Sequence, residues 1–120
     1  MKFDDLLTGF IRLHILHHAA EHEIYGQWMI DELARHGYRL SPGTLYPILS
    51  RMAVRGWIKA VEPKGPRDAR VYRITPHGAD VLQRLRHAVA ELDRELGEHA
   101  PVSSHAAKRK TSGRAKSPNR

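Results

Sequence analysis

Apolar residues near the start of the chain recur at Leu6, Leu7, Phe10, Ile11, Leu13, Ile15, Leu16, Ala19 and Ala20. This arc is too wide for a helix resting on one surface. The pattern predicts a first helix over residues 6–20 that is covered from two sides. Met29, Ile30 and Leu33 form a narrower stripe and predict a second helix from Gly26 to His36. Gly37 is placed to stop it in the left-handed conformation, and Arg35 and His36 suit its negative end. Leu45, Ile48, Leu49 and Met52 then fall at i, i+3, i+4 and i+7, the buried face of a third helix that ends near Gly56. Ser41 is its expected N-cap and Pro42 its first helical residue, where a missing N–H costs nothing. Thr44, Pro47, Ser50 and Arg51 lie on the opposite face.

Beyond Gly56 the pattern changes to two short strand-like runs, Trp57 to Glu62 and Arg70 to Thr75, separated by Pro63, Lys64, Gly65, Pro66, Arg67, Asp68 and Ala69. They predict a β-hairpin with a basic tip. Thr75 and Pro76 repeat the cap-then-proline signal and open a last helix with the stripe Val81, Leu82, Leu85, Ala88, Val89, Leu92 and Leu96. That stripe is longer than so small a fold can cover, and Leu85, Val89, Leu92 and Leu96 are expected to meet a second copy of the chain. The Ser, Pro, Lys and Arg content past Gly97 cannot bury enough apolar surface to fold. The expected fold is mostly α with a small β-hairpin: a winged helix-turn-helix with an extra C-terminal dimerisation helix. Its divisions are a DNA-binding domain at residues 1–75, the dimerisation helix at 76–97 and a disordered basic tail at 98–120.

Composition narrows the partners. The chain has 120 residues, no cysteine and a formal net charge of +7, so it holds one modest core, no disulfide and no thiolate metal site. Lys108, Arg109, Lys110, Arg114, Lys116 and Arg120 charge the tail without a single acid from Ser103 onward. From Arg35 to Arg73, nine Lys and Arg residues face only Glu62 and Asp68. A nearly neutral fold with one basic middle and a basic tail is the electrostatic footprint of a protein that binds a polyanion such as nucleic acid or an acidic membrane surface, and with the helix-turn-helix order the expected partner is double-stranded DNA. No leader peptide is legible, and no stretch approaches the roughly 20 apolar residues of a membrane span. A cytoplasmic protein without a membrane partner is expected, and no constellation of nucleophile and carboxylate points to an enzyme.

The segment LSPGTLYPIL starts a helix with residues that helices tolerate poorly. A proline in a helix interior costs about 3 kcal/mol and a glycine about 1 kcal/mol. If this helix reads DNA, the start makes sense: Gly43 removes a side chain that would hold the backbone away from a phosphate. Pro47 lacks the N–H that would pair with the Gly43 carbonyl, and offers a flat apolar surface to a thymine methyl.

The stretches LSPGTLYPILSRMAVRGWI and RVYRITPHG resemble the PadR family of bacterial transcriptional regulators, and the resemblance extends over residues 6–96. It implies a dimeric winged-helix repressor of the family's short subfamily, whose first and last helices build the homodimer, bound to an inverted-repeat operator and released by an effector. By the family's motif Ser41, Gly43, Thr44, Tyr46, Pro47 and Arg51 would lie at the major groove. Lys64, Arg67 and Arg70 on the wing would reach phosphates or the minor groove, and Tyr72 would support the base of the wing. Residues 79–96 contain no aromatic side chain, unlike the tryptophan-bearing members that bind planar drugs, which argues against a large aromatic inducer. A competing reading of the same charge is a basic module that binds nucleic acid, or acts as a scaffold, without sequence preference.

The first helix carries one further pattern. His14, His18 and His22 are spaced i, i+4 and i+8, and His17 stands four residues before Glu21. His14, His17, His18 and Glu21 form a candidate sensor that could hold a divalent metal from one side of the helix or respond to pH. The competing reading is a set of partly buried polar groups hydrogen-bonded within a seam. On helical geometry the four share an arc with Leu7 and Phe10, so that seam is expected to be the one between two chains.

Overall fold

A computed structural model describes residues 3–61 and 70–98, with side chains from Leu6. The elements follow in the order α1 (Phe3–Glu21), β1 (Ile24–Tyr25), α2 (Gly26–Arg35), α3 (Pro42–Val54), β2 (Ile58–Val61), β3 (Val71–Ile74) and α4 (Pro76–Glu98). The four expected helices and both hairpin strands are present. The expectation of a hairpin alone omitted β1, which makes the sheet three-stranded in the order β1-β3-β2. β1 pairs antiparallel with β3, Ile24 opposite Tyr72 and Tyr25 opposite Val71. A two-residue strand is too short for any alternation to show in sequence.

The chain divides into a compact unit through Arg86 and a second unit from His87 onward. The first unit has a single core. α1 contributes Ile11, Ile15, Leu16 and Ala19, α2 Met29 and Leu33, and α3 Leu45, Ile48, Leu49 and Met52. Ile24, Ile58, Tyr72 and Leu82 close it from the sheet and from the first turns of α4. The compact unit therefore includes the start of α4, where Val81 and Leu85 also pack on the core, and does not stop at residue 75. In the second unit Val89, Leu92 and Leu96 are exposed. No helix among the described residues is long and apolar enough to cross a membrane.

Two helix ends are built alike. Gly37 N–H donates to the Ala34 carbonyl and Tyr38 N–H to the Leu33 carbonyl; Gly56 and Trp57 repeat the pair on Ala53 and Met52. These are Schellman motifs. Both glycines have positive φ, 92° at Gly37 and 82° at Gly56, a conformation costly for residues with a Cβ. Each turn then delivers an aromatic residue, Tyr38 or Trp57, against the core.

Thr75 joins three elements at one point. Its hydroxyl accepts the Gly78 N–H at 2.9 Å, capping α4 as expected, and lies 2.5 Å from the Gly56 carbonyl and 3.1 Å from that of Trp57. Thr75 N–H donates to the Trp57 carbonyl at 3.1 Å. Gly78 is pressed onto the same peptide: a Cβ there would lie 1.9 Å from the Trp57 carbonyl oxygen. Backbone has no rotamer with which to yield, so Gly78→Ala must displace α4 or β2. The variant should lose about 1–3 kcal/mol of stability, the usual cost of overpacking, read as a lower urea midpoint. An unchanged midpoint would show that the junction is not tight.

Candidate nucleic-acid interface

α2 and α3 are joined by the turn after Gly37, and α3 buries Leu45, Ile48, Leu49 and Met52 against the core. Burial of that face fixes which residues remain outside. Ser41, Gly43, Thr44, Pro47 and Arg51 are exposed, and the structure brings them together on the outer face and first turns of α3. Tyr46 is exposed as well, at 38%, but one part of it is covered by α2: its hydroxyl lies 2.2 Å from where a Cβ on Gly26 would be. The glycine at the start of α2 thus leaves the room in which Tyr46 lies.

Ser41 occupies the N-cap position with extended backbone, but its side chain makes no capping bond. This corrects the expectation of a serine cap. The Ser41 carbonyl accepts from Thr44 and Leu45 N–H, and its hydroxyl is 3.4 Å from the Thr44 hydroxyl. Pro42 has no N–H, and the Gly43 N–H has no acceptor among the described residues. The helix start therefore offers an unsatisfied donor and two hydroxyls where the helix dipole is positive, a ready anion site. Gly43 has no role inside the fold. A Cβ there would meet nothing closer than Ser41 Oγ at 3.7 Å, an ordinary contact.

The wing adds charge. Lys59 on β2 and Arg73 on β3 are register partners, both exposed, and neither has an acidic partner among the described residues. Like charges directly opposite one another destabilise a ladder unless an anion lies over them. Sequence reasoning counted both among the basic middle without singling them out; their pairing depends on the hairpin register. Arg70 is exposed just before β3, and Lys64 and Arg67 lie outside the described residues, as do residues 99–120 of the tail.

The histidine face falls into two groups that share His18. His17 and Glu21 pair at 3.5 Å, with His18 at 3.9 Å from the same carboxylate. His14 and His18 lie against α2 of their own chain, neighbours that the expectation of a seam with a second chain did not include. The His14 ring centroid is 4.7 Å from that of His36 and 5.4 Å from that of Tyr38, and His18 lies edge-on to Trp28 at 5.2 Å. Glu32 takes Arg35 on Oε1 at 2.8 Å, and on Oε2 faces His36 Nε2 at 3.1 Å and His18 Nε2 at 3.4 Å. His36 and Glu32 were not singled out as site residues from sequence, because they stand on another helix. Both histidine groups bring three ligand atoms within 4.8 Å of one another.

Burial lowers the pKa of His14 below its ordinary 6.5, helped by the charges of His36, His18 and His17 and opposed by Glu32. His18 is lowered chiefly by burial and then by His17, against Glu32 and Glu21. Burial raises the Glu32 carboxyl, but hydrogen bonds from His36 and Arg35 outweigh it and hold its pKa down. The unfolded chain therefore binds more protons at these histidines than the folded one, so their contribution is complete above about pH 6.5 and is lost as pH falls below it. In EDTA, the denaturation midpoint should drop between about pH 7 and pH 5.5, and His14→Gln should flatten that drop. A pH response identical in the two proteins would show that His14 does not supply it.

An outward helix start, a basic wing and a three-helix core in this order define a winged helix-turn-helix protein of the DNA-binding class. The model of the transcriptional regulator PadR-like family matches residues 15–84. The chain is 51% identical over 87 residues to the transcriptional regulator Rv3488 of Mycobacterium tuberculosis, across 72% of this chain and 81% of that protein. A PadR-like transcriptional regulator of Bacillus cereus superposes with a TM-score of 0.74 at 22% identity, over 82% of this chain and 99% of that one. A PadR family transcriptional regulator from Eggerthella lenta gives 0.70 at 25% identity, over 82% and 88%. The chain belongs to the PadR-like family of transcriptional regulators, DNA-binding proteins and not enzymes.

A substitution at Gly43 tests folding and binding separately. Gly43→Ala should leave stability unchanged or raise it by up to about 1 kcal/mol through helix propensity, while weakening DNA binding. Comparing the urea midpoint with DNA affinity by fluorescence anisotropy checks both halves. Equal loss of stability and affinity would assign Gly43 to the fold.

Proposed function

We propose that the chain is a dimeric repressor that reads an inverted-repeat operator with α3, steadies itself with the wing and is released by an effector. The observation that carries this is the start of α3: a glycine the fold does not need, beside an amide without an acceptor and an exposed arginine. Ser41, Gly43, Thr44, Tyr46, Pro47 and Arg51 enter the major groove in this reading, and Lys59, Lys64, Arg67, Arg70 and Arg73 neutralise phosphates. Base contacts choose the site, and the wing and the basic tail add affinity that salt weakens.

Dimerisation rests on the apolar residues left outside the core. Leu6 and Phe10 on α1 are about half exposed, as are Val89, Leu92 and Leu96 on α4, more unpartnered apolar surface than a small monomer carries comfortably. Leu85 is partly buried against its own core, so it is a poor place to test the seam. Leu92→Asp with Leu96→Asp puts two charges into the proposed interface at positions the monomer does not use, and sedimentation should then show monomer.

Selection of bound duplexes from a random pool should enrich a two-fold-related motif with half-sites about one helical turn apart. The double variant should lose most affinity for that motif. A pool that converged on no motif would point instead to a basic module without sequence preference. An intact dimer in the variant would place the interface elsewhere.

A further inference from the structure

We propose that His14, His18 and His36 form a binding site for a zinc-class divalent cation, with Glu32 as the fourth ligand, clamping α1 to the C-terminal end of α2. The three imidazoles already converge, one ligand atom from each lying within 4.8 Å of the others. In a tetrahedral zinc site, ligands at about 2.0–2.1 Å from the metal stand roughly 3.3 Å apart. Glu32 Oε2 is 3.1 Å from His36 Nε2 and 3.4 Å from His18 Nε2, so two edges of that tetrahedron exist already. His14 completes the set by rotation of its ring.

The surroundings suit a cation more than a bare cluster of cations. Arg35 holds only Glu32 Oε1, which orients the carboxylate and leaves Oε2 toward the imidazoles. Tyr38 and Trp28 stand against the His14 and His18 rings and limit their freedom. The side chains of His18 and Glu32 are 14% and 11% exposed, while His36, more open, gives a metal its way in. Imidazole with carboxylate and no thiolate selects zinc, cobalt and nickel over soft ions. The neighbouring set of His17, His18 and Glu21 comes from one helix, so it clamps nothing.

Place in the fold gives the site a consequence. His36 is the C-cap of α2, one residue before Gly37 and the turn that leads into α3. A cation joining His36 to α1 fixes the base of that turn, and so the angle at which α3 is presented. This second step rests on the proposed DNA reading by α3; the binding site itself does not.

Calorimetric titration of zinc into the tag-free, EDTA-treated chain should show one equivalent per chain. Cobalt should give the visible absorption of a tetrahedral complex. His14→Ala and His36→Ala should each weaken zinc by at least about tenfold, the smallest loss seen when even an outer-sphere partner is removed. His17→Ala should leave affinity unchanged. Histidine side-chain NMR of the unaltered chain gives a readout that survives any folding defect in a variant: zinc should shift the rings of His14, His18 and His36 and spare His17. Full affinity in His36→Ala, or shifts at His17 without His36, would overturn the site. DNA affinity equal with and without zinc would overturn the coupling to α3 alone.

Discussion

The placement of the wing and of α4 on the helical core depends on the contact between Gly78 and the Trp57 peptide, sealed by the Thr75 hydroxyl. At this junction the end of α3, the start of β2, the end of β3 and the first turn of α4 meet through backbone atoms. The wing is therefore not a loose hairpin. Its root is tied to the last turn of the helix proposed to read DNA, so α3 and β3 are held at one angle. A protein that must place a helix in one groove and a wing on the adjacent backbone needs that rigidity more than it needs a large core.

Glycines show how the chain divides structural from functional demand. Gly56 and Gly37 turn the backbone into the left-handed region, and Gly78 admits a carbonyl where a methyl group cannot fit. Gly43 answers to none of these constraints. Its neighbours leave room for a side chain, and its N–H meets no acceptor among the described residues. Where a helix gives up stability that its own packing does not require, a reason outside the chain is called for, and the proposed phosphate contact at the positive end of α3 is such a reason. Pro47, inside the same helix, fits the same account.

The histidine face concerns the other end of α2. Packing of α1 on α2 brings imidazoles from both helices around one carboxylate, and Arg35 neutralises that carboxylate from the far side. Charge in this pocket is balanced through hydrogen bonds as it stands. A proton or a divalent cation added there changes the balance at the point where α2 hands the chain to α3, one residue from the glycine-dependent turn at Gly37.

Periodicity by itself determined the helices, both wing strands, the buried face of α3 and the stop at Gly37, because each is a local property of residues three, four or two apart. The motifs from Ser41 to Gly56 and from Tyr72 to Gly78, joined to the basic hairpin, were likewise enough to indicate the family and with it DNA. Tertiary packing alone decided the rest. β1 exists because β3 offers it a free edge, and Tyr46 is partly covered because Gly26 lies opposite. Leu85 belongs to its own core although its spacing matches Leu92 and Leu96. His14 and His18 face Glu32 and His36 of the same chain, a meeting of residues on different helices that no spacing within one helix can show. Spacing says which side chains share a face, and only packing says what that face meets.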